Sequence, residues 1–230
     1  MWKWIKKKVK ALVRVVYRIV LTIGNAFSLG LYDFLLGFLA WPPKRLRLHV
    51  FILWSEVPQG GGDPQPPIEQ VVQAAIDRTK KLYKDKFNVN VRPYSKTFME
   101  TLQGPFPDSV LDFECGFGSE FGDAGEFFAG HLAGWNAVPI SLTYPVTVFV
   151  VRDLTGGDLG CSMYVAGDYV VIDRDGLLDN VALPHEIGHT CSLWHSFSSN
   201  NLMYRMSPAG ENVKWFQKNL LRSSRHVQYW

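Results

Sequence analysis

The sequence predicts a mixed α/β fold: a twisted mixed sheet of about five strands, covered by long helices and preceded by an N-terminal membrane helix. Strand patterns and helix patterns alternate along the chain, which is the order expected for a sheet packed against helices. With 230 residues and a hydrophobic content of 47%, the chain can bury a sizeable core and is not disordered. We expect two parts: a membrane-anchoring segment over residues 1–41 and a folded domain over residues 42–230.

Basic charge is concentrated at the N terminus. Residues 1–18 hold seven lysines and arginines and no acidic residue, so the rest of the chain is net negative although the whole chain carries +3. A basic character confined to one tail gives little support to nucleic-acid binding, and we expect none.

An apolar run, "IVLTIGNAFSLGLYDFLLGFLAW", follows over residues 19–41 and is interrupted by one charge, Asp33. Its length is enough to cross a hydrocarbon layer of about 30 Å as a helix. The lysines before it predict an N-in, C-out anchor with the folded domain on the extracytoplasmic side. The run lacks a small-x-small cleavage site, which favours a retained anchor over a removed signal peptide.

Other arrangements of this segment fit the same residues. Basic residues at positions 3, 7, 10, 14 and 18 share one helical face, which fits a helix lying among lipid headgroups. Asp33 within the apolar run indicates a side that faces protein or water, so a homo-oligomer formed through this helix stays open. The remaining alternative is a helical tail that packs on the folded domain.

The elements of the domain follow from their residue patterns. Branched and aromatic residues over 46–54 predict the first strand. Apolar positions repeating every three or four residues over 67–87 predict a long helix that opens at Pro67. Further strands are predicted at 88–94, 144–153, 160–167 and 168–175, with a helix from about Leu178 and a last helix over 211–222.

Three of the six histidines lie in "HEIGHTCSLWH", residues 185–195. His185 and His189 are one helical turn apart and can offer two imidazoles to one Zn²⁺, while His195 supplies a third if the chain turns back. Three protein ligands with one open position are typical of a catalytic zinc site. Glu186 is not a ligand in this arrangement, and we expect it to be the general base that acts on a metal-activated water to hydrolyse a peptide bond.

This stretch resembles the zinc signature of the metzincin metalloproteases, HExxHxxGxxH, and "NNLMY" (residues 200–204) resembles their Met-turn. Met203 follows His195 by eight residues, which is similar to the spacing of the matrixin (matrix metalloprotease) group. The resemblance implies an α+β metzincin-like zinc endopeptidase, in which an active-site helix is followed by the Met-turn and a C-terminal helix. It also implies roles for His185, His189 and His195 as zinc ligands, Glu186 as the base and Met203 as the Met-turn residue.

The resemblance further implies a protein or peptide substrate bound antiparallel to an edge strand ahead of the active-site helix. The candidate strand is "GCSMYVAG" (residues 160–167), and the residues after the Met-turn would form one wall of the specificity pocket. The substrate-binding residues implied in this way are Cys161, Ser162, Met163, Tyr164, Tyr204 and Arg205.

The chain departs from the family pattern at Ser192, where the family has glycine. Glycine is favoured where a chain leaves a helix in a left-handed conformation, so we expect Ser192 to strain this turn. The departure keeps another interpretation open: a catalytically silent zinc-binding or assembly domain delivered by a membrane-active N-terminal helix.

A second metal is suggested by clustered carboxylates. Asp173, Asp175 and Asp179 are suitable ligands for Ca²⁺, although a turn between a strand and a helix explains the same residues.

Further predictions concern the three cysteines and Trp194. Cys115 and Cys161 are candidates for a disulfide, and Cys191 is expected to be a small buried residue. Trp194, next to His195, is expected to pack beneath the site.

Overall fold

The computed structural model describes residues 2–28, 30–54, 66–132, 145–162 and 167–229, and in them the chain has the mixed α/β layout that the sequence predicts. The strands are β1 (Lys44–Ile52), β2 (Val89–Pro93), β3 (Met99–Thr101), β4 (Asp112–Glu114), β5 (Val146–Val150), β6 (Asp153–Thr155), β7 (Cys161–Ser162), β8 (Tyr169–Ile172) and β9 (Val227–Gln228). The helices are α1 (Trp2–Phe27), α2 (Leu31–Leu36), α3 (Ile68–Phe87), α4 (Asp108–Leu111), α5 (Asp123–Gly130), α6 (Arg174–Leu178), α7 (Ala182–Thr190) and α8 (Trp215–Arg222), with 3₁₀ turns at Gly37–Leu39 and Phe117–Phe121.

The main sheet contains seven of the described strands, in place of the five or so that were predicted. Its path is β2–β1–β5–β8–β7, and both β3 and β9 add to β1. The two additional strands have three and two residues, which is too short for a periodic pattern to reveal them. The strands β4 and β6 pair separately.

The sheet places β7 at the end of the path. The strands β2, β1, β5 and β8 are parallel, whereas β7 pairs antiparallel with β8. Among the described strands, β7 therefore presents an edge, which confirms the predicted edge strand at Cys161 and Ser162. Residues 163–166 of the predicted strand lie outside the described part of the chain.

Apolar clusters cover both faces of the sheet. One cluster contains α3 and α7, and the other contains Phe113, Phe128 and Tyr169. Because both faces are covered, β5 is buried at all five positions, which explains why its sequence is continuously apolar apart from one threonine. A hydrogen bond from the Tyr83 hydroxyl to the Pro184 carbonyl (3.0 Å) ties α3 to α7 and so fixes the helix that carries the histidines.

The prediction of one uninterrupted helix over residues 19–41 is wrong. The chain turns after Phe27 and continues as α2 and a 3₁₀ turn that pack on α8. Glycine allows this approach, since a Cβ at Gly30 would lie 2.8 Å from the Ser223 carbonyl oxygen and one at Gly37 would lie 2.7 Å from the Cα of Asn219. In the described ranges, no single helix has the length and apolar character to cross a membrane; Trp4–Phe27 and Leu31–Leu39 meet these criteria only together, across a 71° bend.

The polar side of α1 faces the domain. Arg18 is buried and lies 3.1 Å from Glu120 and 2.9 Å from Asp168. These contacts match the alternative of a helical tail packed on the domain. The division into residues 1–41 and 42–230 stays a prediction.

Asp33 faces protein, as its place in an apolar run indicated. Its carboxylate is fully buried and forms ion pairs with Arg222 (2.7 Å) and Lys44 (2.8 Å). Both partners belong to the same chain, so the burial of this charge needs no second copy.

Candidate active site

The helix that carries the first two histidines begins later than predicted. The helix α6 ends at Leu178, and α7 begins at Ala182. Between them, the Asp179 carboxylate accepts hydrogen bonds from the backbone N–H groups of Val181 (2.8 Å) and Ala182 (2.9 Å). These donors would otherwise be unsatisfied at the start of α7, so Asp179 stabilises the start of this helix.

Two of the three predicted calcium ligands have structural roles in this turn. Asp173 accepts hydrogen bonds from the N–H groups of Gly176 (2.9 Å) and Leu154 (3.2 Å) and so caps α6. Asp173 and Asp179 therefore behave as the turn explanation requires. Calcium binding at Asp173, Asp175 and Asp179 stays a prediction.

The three histidines converge at one point. One ring nitrogen from each of His185, His189 and His195 lies within 4.8 Å of the others, and the described residues contain no other such group of three. The Nε2 atoms of His189 and His195 are 3.1 Å apart. Two nitrogens bound tetrahedrally to one Zn²⁺ at 2.0–2.1 Å would be separated by about 3.3 Å, so this spacing fits a shared zinc ion.

Hydrogen bonds on the far side of two rings fix their orientation. The Nδ1 atom of His185 lies 2.7 Å from the Leu202 carbonyl oxygen, and that of His189 lies 2.7 Å from the Leu193 carbonyl oxygen. A carbonyl only accepts, so Nδ1 carries the proton in both rings and the Nε2 lone pairs point to the site. This is the tautomer that a zinc ligand needs.

The pKa values of the histidines favour the neutral form that binds metal. Burial lowers the pKa of His185 to about 4 and that of His189 to about 3. The pKa of His195 is lowered by partial burial and by the nearby Arg205 guanidinium. Neutral imidazoles offer a lone pair to a cation without first losing a proton, so the donor set fits Zn²⁺ near neutral pH.

Glu186 lies on α7 beside the first histidine and contacts the edge strand. Its Oε2 atom accepts a hydrogen bond from the Ser162 hydroxyl (2.7 Å) on β7. Burial raises the pKa of Glu186 to about 7, and the hydrogen bond from Ser162 opposes that rise. A carboxyl group with this pKa can both take up and release a proton near neutrality.

Gly160 makes room for the Glu186 side chain. A Cβ at Gly160 would lie 2.6 Å from the Cγ of Glu186, which is closer than real Cβ atoms approach. This role of Gly160 is not evident from its residue type. Its position as the first residue of the predicted edge strand was the available signal.

The turn that was predicted to be a Met-turn packs against α7. Met203 is fully buried, and its Sδ atom would lie 2.8 Å from a Cβ at Gly188, which stands between the two histidines of α7. A hydrogen bond from the Tyr204 N–H to the Asn201 carbonyl (3.0 Å) closes the turn. Leu202, within the turn, supplies the carbonyl that orients His185.

A pair of side-chain amides, which the sequence did not predict, holds this turn to α8. The Asn201 amide donates to Gln217 Oε1 (2.9 Å), and the Gln217 amide donates to Asn201 Oδ1 (3.0 Å). Asn201 Oδ1 also accepts from the Met203 N–H (2.9 Å). Neither residue type signals such a role from sequence, because the partners are sixteen residues apart and meet only in the folded chain.

The chain leaves α7 through Ser192 in the left-handed conformation that the family glycine indicated, with φ of +74°. Hydrogen bonds from the N–H groups of Ser192 to His189 and of Leu193 to Gly188 (both 2.9 Å) build this turn, which leads to His195. The prediction that Ser192 occupies a strained position is confirmed.

A cleft of about 630 Å³ lies over these groups. Its lining includes the three histidines and Glu186, and it also includes Cys161, Ser162, Tyr204 and Arg205. The structure thus brings four of the six predicted substrate-binding residues to the same cleft as the predicted metal ligands. The other two, Met163 and Tyr164, lie outside the described residues.

The cysteine predictions are confirmed. Cys115 and Cys161 form a disulfide with a Cα–Cα distance of 5.7 Å, which ties the edge strand to the segment after β4. Cys191 is free and fully buried, and burial raises the pKa of its thiol to about 12.

The prediction for Trp194 is wrong. Its side chain is 67% exposed and does not pack beneath the site. The turn at Ser192 directs Leu193 into the core, so the next residue points outward. The buried position beneath the histidines is filled by Met203.

This chain is similar in structure to several solved proteins, at low sequence identity. No family model matches this chain, and neither does any curated protein. The chain is similar to archaemetzincin from Methanopyrus kandleri, with 14% identity and a TM-score of 0.43 over 79% of this chain and 88% of that one. It is also similar to metalloproteinase-II from Bacteroides fragilis, with 14% identity and a TM-score of 0.45 over 75% of this chain and 49% of that one.

A third similar structure is a chain of a chaperone-substrate complex, with 12% identity and a TM-score of 0.41 over 69% of this chain and 28% of that one. This chain thus spans under a third of that protein and about half of the Bacteroides metalloproteinase. Neither metalloprotease name identifies a matrixin, so closeness to that group has no support. What the site can do chemically is therefore inferred from the positions of its own residues.

Proposed function

We propose that this chain is a zinc-dependent endopeptidase. The observation that carries the proposal is the convergence of three neutral imidazoles on one point, with a buried glutamate beside them in an open cleft. The 3.1 Å separation of two imidazole nitrogens and the fixed tautomers fit one zinc ion. A structural site would normally enclose its metal with four protein ligands, whereas the described residues supply three here and line an open cleft.

His185, His189 and His195 would hold the ion. When bound, Zn²⁺ acts as a Lewis acid that polarises the scissile carbonyl and makes water more acidic. The carbonyl groups of Leu202 and Leu193 keep the first two imidazoles in the binding tautomer.

Glu186 moves the proton. Its carboxylate takes a proton from the attacking water as the water oxygen bonds to the peptide carbon. Glu186 then gives that proton to the amide nitrogen, which leaves as an amine. The Ser162 hydroxyl holds one carboxylate oxygen, so the position of the base depends on the edge strand.

The substrate peptide extends the sheet at β7. An extended peptide can pair antiparallel with this edge and so place one carbonyl over the histidines. Tyr204 and Arg205, directly after Met203, also line the cleft. The backbone thus positions the substrate, and these side chains select it.

The test measures zinc and cleavage separately in the full-length chain. Elemental analysis should find about one zinc per chain, and a peptide library should be cleaved until a chelator is added. The Glu186→Gln variant keeps the shape of the side chain and removes the base. It should retain zinc and lose about 10²–10⁴-fold in kcat/KM.

Glu211→Gln, at an exposed position, is the matched control and should leave kcat/KM unchanged. Cleavage by Glu186→Gln at the wild-type rate would contradict the proposed base. Absence of zinc from the purified chain would contradict the metal site. Bound zinc without any cleavage would favour the alternative, a catalytically silent zinc-binding or assembly domain.

A further inference from the structure

The helix α1 has its two arginines turned inward. Arg14 and Arg18 are both buried, and both lie next to Glu120, at 3.8 Å and 3.1 Å. Arg225 reaches the same cluster by donating to the Arg18 carbonyl oxygen (2.9 Å). The arginines therefore attach α1 to the domain and are not available to lipid headgroups.

The opposite side of α1 is apolar and exposed. Eight residues at helical spacing form an arc of about 100°, and we call this set the α1 apolar face. Valines at its centre are 52–61% exposed. The members of the face are Ile5, Val9, Leu12, Val13, Val16, Val20, Ile23 and Phe27.

Cationic and aromatic residues border this face. Lys6 and Lys10 are exposed along one flank, and Lys8 lies on the other, with its ammonium 5.7 Å from the ring centre of Trp4. The only acidic residue in the first 41 positions is Asp33, which is fully buried. The outward surface of this segment therefore combines apolar and basic groups.

We propose that the α1 apolar face binds an anionic lipid bilayer in the plane of the membrane, with α1 lying along the surface. The apolar side chains enter the region between headgroups and acyl chains, and the flanking lysines contact lipid phosphates and carboxylates. A 26-residue helix is about 39 Å long, so it supplies an extended contact without crossing the bilayer.

Charge complementarity favours lipid over a second copy of this chain. A second copy would bring another apolar face flanked by lysines and no exposed carboxylate from the same segment to pair with them. The face also lacks the hydrogen-bonding groups that protein interfaces usually carry. An anionic bilayer satisfies both the apolar groups and the lysines.

This arrangement gives the arginines of the basic stripe a role that the sequence-based view of an interfacial helix did not include. There, the basic stripe would face the headgroups. Here, the arginines of that stripe hold α1 to the domain through Glu120 and Asp168. The side opposite to the stripe is the one that enters the membrane.

The test is flotation of the full-length chain with two kinds of vesicle, pure phosphatidylcholine and phosphatidylcholine mixed with phosphatidylserine. Wild type should float with both and bind the mixed vesicles more tightly. The Val13→Gln/Val16→Gln/Val20→Gln variant should lose roughly a hundredfold in vesicle affinity. Glutamine is a better helix former than valine, and these valines are exposed, so the fold should be retained.

Control variants separate the apolar and electrostatic contributions. Leu178→Gln removes an exposed leucine outside the face and should bind like wild type. Lys10→Gln should reduce only the preference for phosphatidylserine.

Wild-type affinity in the folded triple-glutamine variant would overturn the proposal, as would failure of wild type to float with either vesicle. A wild-type dimer that dissociates on the triple substitution, without any flotation, would assign the face to a second copy and would overturn it as well.

Discussion

Replacement of Ser192 by glycine should stabilise this protein. Ser192 has φ of +74°, and its hydroxyl is buried without a hydrogen-bond partner among the described residues. A left-handed conformation costs a non-glycine residue about 1–2 kcal/mol. Glycine removes this cost but loses about 0.5–1 kcal/mol to its greater freedom in the unfolded chain.

The hydroxyl adds a second contribution. An unsatisfied buried polar group costs about 1–3 kcal/mol, and glycine removes this group as well. With the lower value for the hydroxyl, we expect Ser192→Gly to raise the free energy of unfolding by about 1–2 kcal/mol. For a chain of this length, that corresponds to a rise in Tm of roughly 3–6 °C.

Ser192→Ala is the matched control, because it removes the hydroxyl and keeps the strained backbone. The alanine variant should raise the free energy of unfolding by about 1 kcal/mol, which is less than the increase expected for the glycine variant. The assay is urea unfolding of the chelator-treated protein, followed by zinc competition to compare metal affinity, which should be kept or improved. A less stable glycine variant, or an alanine variant as stable as the glycine one, would refute the assigned strain.

Other expected outcomes test the base, the buried charges and the free thiol. Gly160→Ala should displace Glu186 and lower kcat at least tenfold with unchanged zinc content. An unchanged kcat would contradict the inferred clash between a Cβ at position 160 and the Glu186 side chain. Asp168→Asn should cost about 3–5 kcal/mol in urea unfolding because it leaves Arg18 short of a buried partner. Neighbouring arginines hold the pKa of Asp168 well below its ordinary value despite burial. The contribution of Asp168 to the free energy of unfolding is therefore present above about pH 4 and is lost as the pH falls further. An Asp168→Asn variant whose stability falls with acid as much as that of wild type would contradict this. Burial raises the pKa of Cys191 to about 12, so a thiol reagent should find one thiol per chain only after denaturation, and rapid labelling of the native chain would exclude the buried position.

The chemistry of the candidate site was readable from the sequence because its donors lie close together along the chain. The spacing of His185 and His189 places them on one helical face, and the distance from His195 to Met203 indicated the turn beneath. The sequence did not indicate the Asn201–Gln217 pair or the space that Gly160 leaves for Glu186. They depend on elements that meet only when the chain folds.

The N-terminal segment shows more clearly what a residue pattern leaves undetermined. Its sequence determined a helix with a basic side and an apolar side, since these follow from residue spacing alone. Which side faces the protein was decided by Glu120 and Asp168, which lie more than one hundred residues away and pair with Arg18. Local spacing fixes the relative directions of side chains on a helix, whereas the partner of a buried charge is selected by the tertiary structure, because leaving that charge unpaired is too costly.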